Sequence, residues 1–140
     1  MACEFCDATG GVVLWQNDVC RVVTVDEPGF PGCLRVILHR HVRELTALGP
    51  AERDRFMAVV FGVEAHMRKT LEPHKMNLAS LGNMTPHLHW HVIARHADDS
   101  HFPGPIWTAP QRVAVVPAER RERAQRMAQT LAAALAAHDA

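Results

Sequence analysis

An α+β fold, in which an antiparallel sheet of about five strands carries one long helix and a C-terminal helix follows, is what this sequence predicts. Three observations carry the prediction. Short β-branched runs bounded by turn-forming residues lie on both sides of one helical stretch. That stretch repeats apolar residues three and four positions apart, and a second stretch from residue 117 onward repeats them four apart. At 140 residues the chain has the length of one domain around one core. No internal repeat or long linker divides it, so residues 1–140 are read as a single domain, with a C-terminal helix over about 117–138 as an appendage.

Residues 11–15 (Gly-Val-Val-Leu-Trp) and 19–25 are β-branched runs separated by Gln16-Asn17-Asp18. Asn and Asp tolerate the positive φ of tight turns, so a β-hairpin is expected. Residues 26–32 (Asp-Glu-Pro-Gly-Phe-Pro-Gly) form a loop, and residues 33–38 (Cys-Leu-Arg-Val-Ile-Leu) resume as a strand. Pro50 suits the first turn of a helix, where its missing N–H is no loss, and Glu52 complements the helix dipole. Phe56, Val59, Val60, Val63, Met67 and Leu71 then mark one helical face, and Pro73 ends it. Residues 75–81 and 87–95 read as two further strands joined by Gly82-Asn83-Met84-Thr85-Pro86. In the last helix Met127, Leu131 and Leu135 recur four apart; five arginines between Arg112 and Arg126 read as a solvated face.

Composition removes several functions. Fifteen basic residues balance fifteen acidic ones, so the basic coat of a nucleic-acid binder is absent and no nucleic-acid partner is expected. No run of about 18 apolar residues occurs, so no membrane span is expected. The opening Met-Ala-Cys-Glu-Phe-Cys-Asp lacks a basic region followed by an apolar one, which points to a cytoplasmic protein. There the four cysteines are expected as thiols or metal ligands rather than disulfides. Ten histidines beside no tyrosine are the one odd feature. Several of them (His74, His96, His101, His138) read as scattered surface residues.

Three others concentrate in His87-Leu88-His89-Trp90-His91-Val92-Ile93. On a strand, side chains alternate, so His87, His89, His91 and Ile93 share one face. Leu88, Trp90, Val92 and Ala94 share the other and suit the core against the long helix. Three imidazoles in register are costly as a purely structural choice, since each buried one wants a partner. One metal held by all three is disfavoured: His87 and His91 stand roughly 13 Å apart at the backbone. Division of labour is expected instead, one ring serving a metal or structural contact and the others facing a substrate.

This pattern resembles the signature of the histidine-triad superfamily of nucleotide hydrolases and transferases. The resemblance extends over roughly residues 3–107: Asp26, Pro31-Gly32, Val36-Ile37, His41, Asn77 and the Gly82-Asn83 loop occur in the family's order. It implies a histidine-triad-like fold and a homodimer joined through the long helix and an adjacent strand. An apolar Phe61 off the helix's main stripe fits that pairing. It implies that His89 is the nucleophile on the α-phosphorus and that His91 contacts phosphate and leaving group, a charged imidazolium there stabilising negative charge. Asn77, Asn83 and Asp26 correspond to positions that contact phosphate or ribose, and Thr85 would supply a hydroxyl where Met84 replaces the usual serine. The family's Pro-Gly-His reads Pro31-Gly32-Cys33 here, and its Ile-Pro reads Leu38-His39.

Cys3-Glu-Phe-Cys6 has the C-x-x-C spacing that bites a tetrahedral metal. At the start of the chain, before a hairpin, it lacks the strand–helix setting of a redox motif. The resemblance implies structural zinc held by Cys3, Cys6, His41 and His87, with His39 a competitor for His41. Cys20 and Cys33 read as small core residues. The function expected is hydrolysis or nucleotidyl transfer at the α-phosphate of a nucleoside phosphoramidate or dinucleoside polyphosphate. The alternatives are a nucleotide-binding sensor or adaptor without turnover, and a zinc-dependent hydrolase. Metal catalysis usually wants carboxylate ligands, and the triad strand has none.

Overall fold

The structure, a computed structural model, describes residues 2–137; His138 lies outside the described residues. A five-stranded antiparallel sheet is built from β1 (Val13–Gln16), β2 (Cys20–Thr24), β3 (Leu34–Leu38), β4 (Lys75–Ala79) and β5 (His89–Arg95), in the spatial order β1-β2-β3-β5-β4. Among the described residues three α-helices accompany it: the single-turn α1 (Glu4–Asp7), the long α2 (Pro50–Leu71) and the C-terminal α3 (Ala118–Ala136). Among the described residues no helix is long and apolar enough to cross a membrane.

Alternation sorts the sheet into two unlike faces. Cys20, Val22, Leu34, Val36, Leu38, Val92 and Ala94 pack with Leu88 against the apolar stripe of α2, all of them buried. At about 1.5–3 kcal/mol per fully buried aliphatic side chain, this face supplies most of the drive to fold. The other face carries Arg21, Arg35, His89 and His91 beside Ile37 and Ile93, and the candidate site lies on it. The strands lie where the sequence places them: β2 to β5 are each shortened by one or two residues at an end, and β1 starts two residues later and runs one further, taking Gln16 from the expected turn.

The reason for the first turn differs from the one expected. Neither Asn17 nor Asp18 has positive φ. Instead Asn17 Oδ1 accepts the backbone N–H groups of Val19 and Cys20, both at 2.9 Å, and caps the turn with its side chain. Positive φ is used at Gly32 (φ 86°), where the chain swings into β3 and a side chain would press on Leu71. α2 begins with Pro50 in its first turn and stops at Glu72, whose left-handed backbone (φ 48°) precedes Pro73.

α3 is not an appendage. Met127, Leu131 and Leu135 are at most 2% exposed and complete the main core. α3 packs along α2 and touches β1. Gly62 on α2 permits the approach, because a Cβ there would come within 3.0 Å of Leu135 Cδ2.

Candidate active site

β5 begins at His89 rather than His87, and this separates the first histidine from the other two. His87 N–H donates to Thr85 O and Leu88 N–H to Val42 O, both at 2.8 Å, so loops hold this stretch together with one bond from β3, Leu38 N–H to Leu88 O at 3.1 Å. The His87 ring faces the start of the chain. Its Nδ1 lies 3.4 Å from Cys3 Sγ, 3.6 Å from Cys6 Sγ and 3.3 Å from His41 Nδ1, while Cys6 Sγ lies 3.4 Å from His41 Nδ1. All four ligand atoms fall within 4.8 Å of one another. A tetrahedron with Zn–N of about 2.0 Å and Zn–S of about 2.3 Å has edges of about 3.3–3.8 Å, so these donors fit zinc in kind and in spacing. His87 Nε2–H donates to Leu38 O at 2.6 Å, which leaves Nδ1 with the lone pair that a metal needs. His39 is elsewhere: its ring contacts Arg21 and Asn17 O. Arg21, 6% exposed, ties the same corner together by donating to the carbonyls of Phe5, Ala8 and Thr9.

His89 is 5% exposed. Its Nδ1 lies 2.6 Å from His87 O; a carbonyl only accepts, so Nδ1 carries the hydrogen and Nε2 the lone pair. Burial lowers its pKa below the ordinary histidine value, and Arg35 acts in the same direction, so the ring is neutral at neutral pH. Phe5, inside the C-x-x-C turn, sets its ring edge-on to His89 at 4.9 Å. His91 follows at 5.0 Å from His89 and in turn meets Trp107 at 4.9 Å. Burial, with the His89 and Arg35 charges, pushes the His91 pKa down to about 4. The expected imidazolium is therefore a neutral ring in the free protein; only an anion beside it would favour the charged form. The His89 and His91 rings are largely buried, with Phe5 and Trp107 set against them.

Among the remaining expected site residues, Asn77 lies on the same sheet face, paired in register with Ile93. Its Oδ1 accepts from Arg95 Nη1 at 2.9 Å, so its amide hydrogens are the side left for a ligand. Asn83 is exposed in the 80–86 loop, which borders a groove of about 210 Å³ reaching His87 and His89. Thr85 Oγ1 donates to Glu4 at 3.3 Å, so that hydroxyl buttresses the cysteine turn instead of standing free. Asp26 is exposed just after Val25, which packs with Phe30, Cys33 and Ile93. Cys33 is buried and its thiol pushed up to about 12, and Cys20 is fully buried; both are core residues.

Sequence reasoning missed a support behind the site. Asp99, 6% exposed, accepts two hydrogen bonds from Arg95 and the N–H groups of His96, His101 and Phe102. Burial alone would raise its pKa, but Arg95 and these N–H groups hold it down at about 2. Arg95 also donates to Gly104 O at 2.7 Å, fixing the loop that delivers Trp107 to His91. His96 and His101 are half-buried around this hub, and His74 is exposed with its ring against Phe102.

The HIT-domain family model matches residues 9–98, so the chain belongs to the histidine-triad family. Its fold is similar to that of a histidine-triad protein from Bradyrhizobium japonicum, at 22% identity and TM-score 0.72, over 88% of this chain and 92% of that one. A histidine-triad protein from Sinorhizobium meliloti matches at 25% identity and TM-score 0.71, over 92% and 95%. A zinc-bound family protein from Mycobacterium smegmatis matches at 20% identity and TM-score 0.61, over 98% of both chains. Among curated proteins none matches. Family membership supports nucleotide hydrolase or transferase chemistry in general.

Proposed function

We propose that the protein hydrolyses or transfers a nucleotidyl group at the α-phosphate of a nucleoside phosphoramidate or dinucleoside polyphosphate, through a nucleotidyl-His89 intermediate. The observation that carries this reading is the 2.6 Å hydrogen bond from His89 Nδ1–H to His87 O, which presents Nε2 as a fixed, neutral nucleophile. The Nε2 lone pair forms a P–N bond as the bond to the leaving group breaks, and the leaving group keeps the electron pair and takes a proton. Water then attacks the same phosphorus, the P–N bond breaks back onto His89, and the proton given up by water balances the one consumed. His91 stands one strand repeat further along the same face to meet the phosphoryl oxygens, with Asn77 beyond it; Asp26 and Asn83 serve the ribose and phosphate.

Zinc is the metal for Cys3, Cys6, His41 and His87, and its role is to hold the fold. It would fix the cysteine turn, and with it Phe5, against the nucleophile. A homodimer fits the free edge of β4 and the 57% exposed Phe61 on α2. Light scattering near 16 kDa alone would remove the dimer.

The test is to quench turnover of an adenosine phosphoramidate and look by mass spectrometry for the adduct. An adenylyl group on His89, and loss of activity by several orders of magnitude in His89→Asn with adenosine monophosphate still bound, is the expected result. An adduct elsewhere, or full activity in His89→Asn, overturns it.

A further inference from the structure

The histidine face carries one guanidinium that finds no hydrogen-bond acceptor among the described residues. Arg35 sits in the middle of β3, and its register partner on β5 is His91. Directly paired residues project to the same face with Cβ atoms about 4.5–5.5 Å apart, so the Arg35 side chain shares the face of His89 and His91. The two other arginines of this face are engaged: Arg21 by three backbone carbonyls, Arg95 by Asp99, Asn77 and Gly104. Arg35 makes no hydrogen bond or ion pair among the described residues, and its buried Nε has no partner at all. The one contact its charge finds is the Phe5 ring, with Cζ 5.4 Å from the centroid.

A cation over an aromatic face recovers only part of what an unpaired, desolvated N–H loses. A planar fork of donors is shaped for the oxygens of phosphate or carboxylate. Arg35 stands beside the His89 and His91 rings, and a guanidinium keeps its charge at any ordinary pH, so it is a permanent positive charge on this face.

We infer that Arg35 binds an anionic phosphoryl oxygen of the ligand at the His89–His91 site and makes that site select charged phosphoryl compounds over their uncharged counterparts. The inference rests on the nucleotide reading above and adds to it a residue and a charge requirement. It gives Arg35 a binding role that Phe5 packing alone would not require.

Calorimetry with adenosine monophosphate and with adenosine separates the possibilities. Wild type should bind the monophosphate more tightly than the nucleoside. Arg35→Met should weaken the monophosphate by roughly 10- to 100-fold, the equivalent of one charge-assisted hydrogen bond, and leave adenosine unchanged. Arg35→Lys, which keeps the charge and loses the fork, should fall between. Should Arg35→Met fail to fold, Arg35→Gln, closer in shape, is held to the same criterion. Equal monophosphate affinity in wild type and variant overturns the inference while the nucleotide reading stands. Equal weakening of both ligands makes Arg35 a packing residue and overturns it too. Failure of wild type to bind the monophosphate removes the nucleotide reading and this inference together.

Discussion

The rings of His87 and His89, two residues apart, are locked in opposite tautomers by two backbone carbonyls. Leu38 O takes the Nε2 hydrogen of His87, and His87 O takes the Nδ1 hydrogen of His89. One residue thus offers a ring lone pair to the Cys3, Cys6 and His41 cluster and a carbonyl that fixes the His89 ring. Displacement of His87 would disturb both at once.

Removing a cysteine ligand tests this coupling. Cys6→Ser should lower zinc content from close to one per chain. It should also lower the melting temperature by at least about 4 °C, the shift that roughly 1 kcal/mol produces in a domain of this size. Because Phe5 lies between the two cysteines and packs on His89, catalytic rate should fall as well. Elemental analysis, thermal denaturation and a turnover assay measure the three effects; unchanged stability with no zinc in the wild type would dismiss the metal.

His91 gives a pH signature. Its folded pKa of about 4 lies below the ordinary 6.5, so the unfolded chain binds more protons between those values. Stability from this residue is therefore complete above about pH 6.5 and declines as the pH falls toward 4. Imidazole NMR should find His91 neutral down to about pH 5 in the free protein and shifted upward with adenosine monophosphate bound. A midpoint near 6.5 in the free protein would contradict the burial argument.

Asp99→Asn should be among the costlier single changes. It leaves the buried Arg95 guanidinium without its carboxylate, a loss of about 3–5 kcal/mol by analogy with broken buried pairs. The loop from 96 to 107 should loosen and Trp107 should leave His91, so Trp107 fluorescence and hydrogen exchange of this loop should change along with the melting temperature. A variant as stable as wild type would show that the hub is not what holds the loop.

Much of this was legible in the sequence, for a definite reason. Periods of two and of three to four marked each strand and α2, and the histidine alternation put His89 and His91 on one face. The Cys3, Cys6, His41 and His87 cluster followed from the family resemblance. What escaped was tertiary. Phe5 was hidden inside the C-x-x-C motif, and the four-residue spacing of Met127, Leu131 and Leu135 did not say which surface they pack against. Arg35 did carry a signal: a charge inside Cys-Leu-Arg-Val-Ile-Leu, in phase with Ile37 on a strand whose alternate residues are core. The Arg95–Asp99 pair spans four residues across a strand end, where neither periodicity nor motif spacing applies.

The cluster around His87 has a bearing on how the protein is made. Cys3 meets His87 across 84 positions of chain, so on the ribosome the two thiols emerge long before their last partner. Until β5 is in place they stand without the His87 ring that both meet in the folded protein. Closing that contact also sets the His87 carbonyl that holds the His89 ring, so completion of the histidine strand and closure of the cysteine turn are the same step.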